Sequence, residues 1–137
     1  MDWEPELKRI LVVEDDSDLR EIIEDALTAH SYKVMGTDSG DQARRLMRAW
    51  TPDLALIDIC LPDANGFDIC EWAGGVRLLD HMPVILISGH TDLAYRLQGF
   101  LKGAARYVCK PFDIDNLIRE VKALAGPSSL GPCSNLQ

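Results

Sequence analysis

The sequence has no long apolar run, and this absence excludes a membrane-spanning helix. Such a helix needs about 20 consecutive apolar residues, and no stretch of the 137 residues approaches that length. Residues 1–6 are acidic and lack the basic and apolar regions of a secretory signal peptide. We therefore expect a cytoplasmic protein without a membrane partner.

Cysteine and positive charge are also scarce. The four cysteines form no Cys-x-x-Cys pair and have no His at zinc-ligand spacing; they are Cys60, Cys70, Cys109 and Cys133. We expect free thiols, with Cys109 as a small core residue of an apolar strand. The 14 Lys and Arg against 22 Asp and Glu give a net charge of −8, which disfavours nucleic-acid binding and is compatible with a divalent cation.

Five short apolar segments alternate with helical patterns. The segments begin near residues 10, 34, 54, 84 and 107, and between them apolar residues recur at intervals of three and four. This alternation indicates βαβ units with right-handed crossovers and a parallel sheet, hence an α/β fold in one domain. The run Leu54–Ile57 is uniformly apolar, as is typical of a central strand covered on both faces.

The later helical patterns differ in strength. Residues 67–72 allow about two turns, which Gly74 and Gly75 are expected to break or fray. The next helix carries a clear apolar stripe, formed by Leu93, Leu97, Phe100 and Leu101.

Functional groups directly follow four of the five apolar segments. Glu14 and Asp15 follow the first, Asp58 ends the third, Ser88 ends the fourth, and Lys110 follows the fifth. The carboxyl ends of parallel strands lie at one edge of a sheet, where ligands bind in such folds. Each residue alone has an ordinary interpretation as a helix cap, a turn residue or a solvated cation. Those interpretations do not explain why all of them follow strands.

Three neighbouring carboxylates would repel each other strongly. At 4 Å, each pair costs about 4 kcal/mol at an effective dielectric of 20. Lys110 relieves part of this repulsion, and Mg²⁺, which prefers oxygen ligands, would relieve more. A carboxylate beside Mg²⁺, a lysine and a hydroxyl is suited to attack a phosphoryl group.

Other phosphoryl chemistries lack their motifs. The sequence has neither the G-x-x-x-x-G-K-[ST] loop of P-loop NTPases nor a G-x-G-x-x-G after the first strand. A phosphatase with an aspartyl nucleophile stays as an enzymatic alternative. It is disfavoured because Cys60 stands two residues after Asp58, where that superfamily has its acidic residue.

The motifs together resemble the receiver domain of two-component response regulators. The matching segments are ILVVEDD at residues 10–16, LIDICLP at 56–62, NG at 65–66, PVILISG at 83–89, GA at 103–104 and YVCKPF at 107–112. The resemblance implies a doubly wound, flavodoxin-like sheet of five parallel strands in the order 2-1-3-4-5, with five helices. It implies a receiver domain at residues 8–125. Residues 126–137 are rich in Pro, Gly and Ser, which predicts a disordered tail or the start of a linker.

The resemblance also implies a role for each strand-end carboxylate. Asp58 corresponds to the phosphoacceptor. Glu14 and Asp15 correspond to the acidic pair that holds Mg²⁺, together with Asp58 and the backbone carbonyl of Cys60.

The remaining site residues are implied in the same way. Ser88 and Lys110 correspond to the hydroxyl and the lysine that contact the phosphoryl group. Ser88 and Tyr107 correspond to the switch residues, and a cis peptide is expected before Pro111. Cys60 and His90 occupy the positions that influence the lifetime of the aspartyl phosphate.

The expected function is a phosphorylation-controlled signalling switch rather than an enzyme with a separate substrate. A histidine kinase or a histidine phosphotransfer protein would supply the phosphoryl group. A downstream protein or a fused output domain would receive the signal, with partners docking between about residues 91 and 124. A phosphorylation-independent interaction module with the same fold is the alternative from another class. Whether the chain is a stand-alone regulator or the N-terminal part of a longer one stays open.

Overall fold

Five parallel strands form one sheet in the order β2-β1-β3-β4-β5 in the computed structural model, which describes residues 7–126. The strands are β1 Arg9–Val13, β2 Lys33–Thr37, β3 Leu54–Asp58, β4 Val84–Ser88 and β5 Arg106–Cys109. The helices are α1 Ser17–Ala29, α2 Gly40–Ala49, α3 Gly66–Gly75, α4 Leu93–Leu101 and α5 Ile114–Ala125, with a 3₁₀ turn at Leu78–Asp80. The predicted fold class and strand order are confirmed.

Each face of the sheet is covered by its own group of helices. On one face, side chains such as Leu11, Ile57 and Leu86 pack against α2 and α3. On the other, the alternating side chains Ile10 and Leu56 pack against α1 and α5. Because both faces of β3 and β4 are covered, every residue of these strands is buried. This explains their uninterrupted apolar sequences.

Helix α3 is longer than the sequence predicts. It includes Gly74 and Gly75 and ends there, where the Val76 N–H donates to the Trp72 carbonyl at 3.1 Å. Residues of α3 including Phe67 are buried in the core. Such tertiary packing outweighs the low helix propensity of the two glycines.

Helix α4 forms as predicted, but its apolar stripe faces solvent. Leu93 is 67% exposed and Leu101 is 85% exposed, and Leu97 and Phe100 are also exposed. Gly99 is the buried residue of this helix. The periodicity therefore identified a helix correctly without identifying what its apolar side contacts.

The prediction that Cys109 is a core residue is wrong, because its side chain is only partly buried at the end of β5. Cys70 is the buried thiol, and burial raises its pKa to about 11. Cys60, Cys70 and Cys109 are all free thiols, as expected. Cys133 and residues 127–137, where a tail was predicted, lie outside the described residues. Within residues 7–126, no helix is both long and apolar enough to span a bilayer.

A close backbone approach at Gly66 predicts a large effect of a single methyl group. A Cβ at Gly66 would lie 2.7 Å from both the Asp58 carbonyl oxygen and the Ile59 Cα. We expect Gly66→Ala to destabilise the domain by about 1–3 kcal/mol, because backbone must move. Gly75→Ala is the matched control, since a Cβ there meets nothing within 4 Å. Urea unfolding should show the control to be neutral or slightly stabilised; equal losses in both variants would contradict the steric explanation.

Candidate functional site

Three charged side chains meet at the carboxyl edge of the sheet. Glu14 follows β1, Asp58 ends β3, and Lys110 follows β5. The Lys110 Nζ lies 2.8 Å from the Asp58 Oδ2 and 3.1 Å from the Glu14 Oε1. Since β4 separates β3 from β5, Lys110 reaches past the end of β4 to make these contacts. Glu14 is 1% exposed and Asp58 is 5% exposed, so the ammonium group pairs with two buried carboxylates.

The electrostatics of the site leave an excess of negative charge. Burial, followed by the neighbouring Asp58, raises the pKa of Glu14 from 4.5 to about 7. For Lys110, burial lowers the pKa, but its interactions with the carboxylates of Asp58 and Glu14 outweigh burial and the net pKa is raised. One lysine therefore does not fully balance the two carboxylates.

The arrangement of oxygen atoms fits a hard divalent cation. Glu14, Asp15 and Asp58 each offer a carboxylate oxygen, and these atoms lie within 4.8 Å of one another. The buried Glu14 Oε1 accepts no hydrogen bond from the described residues, although the Lys110 Nζ is nearby. Asp15 is exposed, which leaves one side of the cluster open to water. A set of carboxylate oxygens with room for water suits Mg²⁺.

Backbone groups hold the two buried carboxylates in place. The Asp58 Oδ1 accepts a hydrogen bond from the Cys60 N–H at 3.0 Å. The Glu14 Oε2 accepts one from the Asp16 N–H at 3.2 Å. Asp16 also caps α1, and the Arg20 guanidinium donates to the Glu14 carbonyl at 2.7 Å. The first turn of α1 thus fixes the end of β1 as well.

Sequence reasoning missed Asp63, which anchors the loop after β3. Its carboxylate accepts hydrogen bonds from the Gly40 N–H at 2.8 Å, the Asp41 N–H at 3.1 Å and the Ser39 hydroxyl at 3.1 Å. These bonds, led by those from the Gly40 and Asp41 N–H groups, lower the pKa of Asp63. The loop that carries Cys60 is thereby attached to the N-terminus of α2. The partners lie 22 to 24 residues apart in the chain, so no local pattern could reveal them.

Ser88, His90 and Tyr107 form a second group beside the carboxylates. The Ser88 Oγ accepts a hydrogen bond from the His90 N–H at 3.0 Å, and the Tyr107 hydroxyl donates to the His90 carbonyl at 2.8 Å. The His90 ring stacks on Tyr95 of α4 with centroids 4.0 Å apart. Burial raises the pKa of Tyr107, and the Ser88 hydroxyl partly offsets this. Within residues 7–126, no hydrogen bond joins Ser88 to Asp58.

The chain after β5 links the two groups. The Lys110 N–H donates to the Ser88 carbonyl at 2.7 Å, and the peptide between Lys110 and Pro111 is cis, as expected. The structure therefore brings Glu14, Asp58 and Lys110 into direct contact and places a carboxylate oxygen of Asp15 within 4.8 Å of those of Glu14 and Asp58. Ser88 is joined to Lys110 through the backbone, Tyr107 is hydrogen-bonded to His90, and Cys60 and His90 are exposed.

The raised pKa of Glu14 predicts an unusual pH dependence in metal-free buffer. The folded protein binds the proton of the Glu14 carboxyl group more tightly than the unfolded chain does. The resulting stabilisation is fully present below about pH 4.5 and is lost as the pH rises through about 7. With EDTA at pH 8, Glu14→Gln should therefore raise the free energy of unfolding by on the order of 1–3 kcal/mol. The gain should disappear near pH 4.5.

Urea unfolding at several pH values measures this difference. Glu21→Gln is the control, because it removes the same charge at an exposed position of α1. If Glu14→Gln is as stable as the original chain at pH 8, or if Glu21→Gln gains equally, burial of Glu14 is not the cause.

Comparison with known proteins agrees with this geometry. The model of the response regulator receiver domain matches residues 10–122. The chain is 34% identical over 117 residues to the transcriptional regulatory protein GltR of Pseudomonas aeruginosa, covering 85% of the chain and 48% of that protein. It is 34% identical over 116 residues to the DNA-binding response regulator MtrA of Mycobacterium tuberculosis, covering 85% and 50%. The chain thus spans about half the length of these relatives.

Solved structures of receiver domains have the same fold as this chain. The non-phosphorylated HemR receiver domain from Leptospira biflexa is 31% identical with a TM-score of 0.79, and the match covers 86% of this chain and 94% of that one. A CheY-like receiver domain protein from Methanospirillum hungatei is 28% identical with a TM-score of 0.81, covering 88% and 94%. With the acidic cluster and lysine at the sheet edge, these matches show that the chain belongs to the response regulator receiver domain family.

Proposed function

We propose that this receiver domain is a signalling switch that accepts a phosphoryl group on Asp58 in a Mg²⁺-dependent reaction. The donor is a phosphohistidine of a histidine kinase or of a histidine phosphotransfer protein. The observation that supports this proposal best is the position of Asp58. Its carboxylate is almost fully buried, yet it lies between the Lys110 ammonium and the acidic pair Glu14 and Asp15.

The chemistry is a transfer between two nucleophiles. A carboxylate oxygen of Asp58 forms a bond to phosphorus while the bond from phosphorus to the donor nitrogen breaks, and the electron pair returns to the imidazole. Lys110 stabilises negative charge on the phosphoryl oxygens, and the Cys60 N–H orients the Asp58 carboxylate. Hydrolysis repeats the displacement with water attacking phosphorus, so the domain acts on its own modification alone.

The residues that would hold Mg²⁺ are Glu14, Asp15, Asp58 and the backbone carbonyl of Cys60. Bound there, the ion would neutralise charge on the phosphoryl group during transfer. Glu14 would contribute through its Oε1, which is ion-paired with Lys110 but accepts no hydrogen bond from the described residues, and Asp15 would contribute from the exposed side of the cluster. Cys60 and His90 are exposed, two residues after Asp58 and Ser88 respectively, and we assign them the control of aspartyl-phosphate lifetime.

An apolar groove beside the site offers a surface for the phosphodonor. It has a volume of about 470 Å³ and is lined by Asp16, Leu19, Ile22, Lys110, Pro111, Phe112 and Ile114. Ile22 is 56% exposed on α1, which is a large apolar exposure beside an acidic cluster. Since Lys110 lines both the groove and the phosphoryl site, a helix bound in the groove would place its histidine close to Asp58.

The exposed apolar side of α4 offers a second surface, for output. Its four exposed side chains are Leu93, Leu97, Phe100 and Leu101. Helix α4 connects to the site through the stack of Tyr95 on His90, whose N–H is bound to Ser88. The relatives described above are transcriptional or DNA-binding regulators about twice the length of this chain. We propose that a fused output domain or a separate protein reads this surface, and that the receiver domain itself contacts no nucleic acid.

Phosphorylation should depend on Asp58 and on the metal. Incubation with acetyl phosphate and Mg²⁺ should add one base-labile phosphoryl group, detected by intact-mass spectrometry. The product should be absent in Asp58→Asn and in EDTA. It should form at least about tenfold more slowly in Asp15→Asn, because one cation ligand is lost.

Asp68→Asn is the control, since Asp68 is an exposed carboxylate in the first turn of α3. It should be phosphorylated like the original chain. Equal phosphorylation of Asp58→Asn would disprove the assignment, and a complete lack of phosphorylation in the original chain would favour a phosphorylation-independent interaction module.

Ser88 should be required for transmission but not for fold. Beryllofluoride mimics the phosphoryl group, and NMR should show that it shifts the amide signals of α4 and of Tyr107 in the original chain. In Ser88→Ala the α4 shifts should be largely lost, because this variant lacks the hydroxyl that would donate a hydrogen bond to the beryllofluoride group. Ser88→Thr retains the hydroxyl and should retain the shifts. Unchanged α4 shifts in Ser88→Ala would show that the signal leaves by another route.

A further inference from the structure

A pair of arginines shares one tryptophan ring on the surface formed by α2 and α3. The guanidinium carbons of Arg44 and Arg48 each lie 5.7 Å from the centroid of the Trp72 ring. Arg48 is exposed, and Arg44 and Trp72 are partly exposed. The two arginines are four residues apart and therefore neighbours on α2.

The guanidinium groups of both arginines are available for further ion pairs and hydrogen bonds. In residues 7–126, neither Arg44 nor Arg48 forms an ion pair with a carboxylate or donates a hydrogen bond from its guanidinium. Arg45, between them in the sequence, does pair with Asp41. Each guanidinium carries five N–H donors, and like charges at this spacing repel. The ring holds two cations close together in a protein that has an excess of eight negative charges.

We propose that Arg44, Arg48 and Trp72 form a docking site for an acidic segment of a partner protein. Carboxylates would accept paired hydrogen bonds from the guanidinium groups and remove their mutual repulsion. The ring would contribute apolar contact. Arg and Trp are the residue types most enriched at the energetically dominant positions of protein interfaces.

Charge favours an acidic protein segment over nucleic acid. A nucleic acid is bound through many phosphate contacts, and its long charged backbone would be repelled by the net charge of −8. A short segment needs one or two carboxylates at the arginine pair. The arginine pair lies on α2, which packs against β1 and β2, whereas the proposed output helix α4 packs against β5.

Titration with an acidic peptide tests the proposal. The probe is the blocked hexapeptide Glu-Asp-Leu-Glu-Asp-Glu, and NMR follows the indole N–H signal of Trp72, assigned with Trp72→Phe. We expect a saturable shift that the neutral peptide Gln-Asn-Leu-Gln-Asn-Gln does not cause. The double variant Arg44→Gln with Arg48→Gln should bind the acidic peptide at least about tenfold more weakly.

The double variant Arg119→Gln with Lys122→Gln is the matched control, because it removes two exposed cations from α5. It should bind the acidic peptide within about twofold of the original chain. Arg44→Lys with Arg48→Lys keeps the charge but loses the planar donors, so it should show intermediate affinity. Thermal unfolding verifies that all variants are folded.

Three results would overturn the proposal. The first is no saturable shift with the acidic peptide, and the second is an equal loss of affinity in the α5 control. The third is tighter binding of a short DNA duplex than of the peptide, abolished in the Gln variant, which would assign the site to nucleic acid. None of these readouts depends on phosphorylation of Asp58.

Discussion

Burial of two carboxylates against one lysine is the constraint on which the rest of this structure depends. Glu14 and Asp58 lie at the ends of adjacent strands, and Lys110 must cross the end of β4 to reach them. A buried charge is costly unless it is paired and hydrogen-bonded. Here one lysine faces two buried carboxylates, and burial, followed by the neighbouring Asp58, raises the pKa of Glu14 to about 7. A cation bound at this site would stabilise the folded protein, because it would offset the carboxylate charge that Lys110 leaves unbalanced.

A switch built on this site needs a way to convert charge into movement. Shifting a two-state equilibrium from about 1:99 to 99:1 takes roughly 5.5 kcal/mol. A phosphoryl group adds roughly 1.5 to 2 negative charges and three acceptor oxygens. Hydrogen bonds to charged groups contribute about 1.5–3 kcal/mol each, so contacts to Lys110 and Ser88 could supply most of the difference. Ser88 is suited to this role because its Oγ and its carbonyl already bind His90 and Lys110.

Sequence reasoning succeeded where a physical rule acts locally and failed where contacts join distant segments. The continuous apolar run of β3 identified a strand covered on both faces. The rule that carboxyl ends of parallel strands meet at one edge of the sheet correctly predicted that Glu14, Asp58 and Lys110 lie together. The anchor at Asp63 was missed because its partners lie on α2, more than 20 residues away. The extent of α3 was underestimated because propensity says nothing of the core into which Phe67 packs. Periodicity revealed the stripe on α4 but carried no information about its exposure.

Helix α4 is held against the sheet by few buried side chains. Its buried residue is Gly99, and a Cβ there would lie 3.1 Å from the Tyr107 ring and 3.2 Å from Leu86. The helix thus approaches β4 and β5 closely but buries little apolar side-chain surface against them. Elements with few buried apolar contacts are the ones that open or shift at low free-energy cost. Tyr107 lies against Gly99 and also donates to the His90 carbonyl, so under the proposed function a movement of His90 would change the contact between β5 and α4. The shallow packing of α4 and its exposed apolar side chains therefore fit the proposed output role together: a helix that buries few side chains would shift at low cost, and its apolar side would be accessible to a partner.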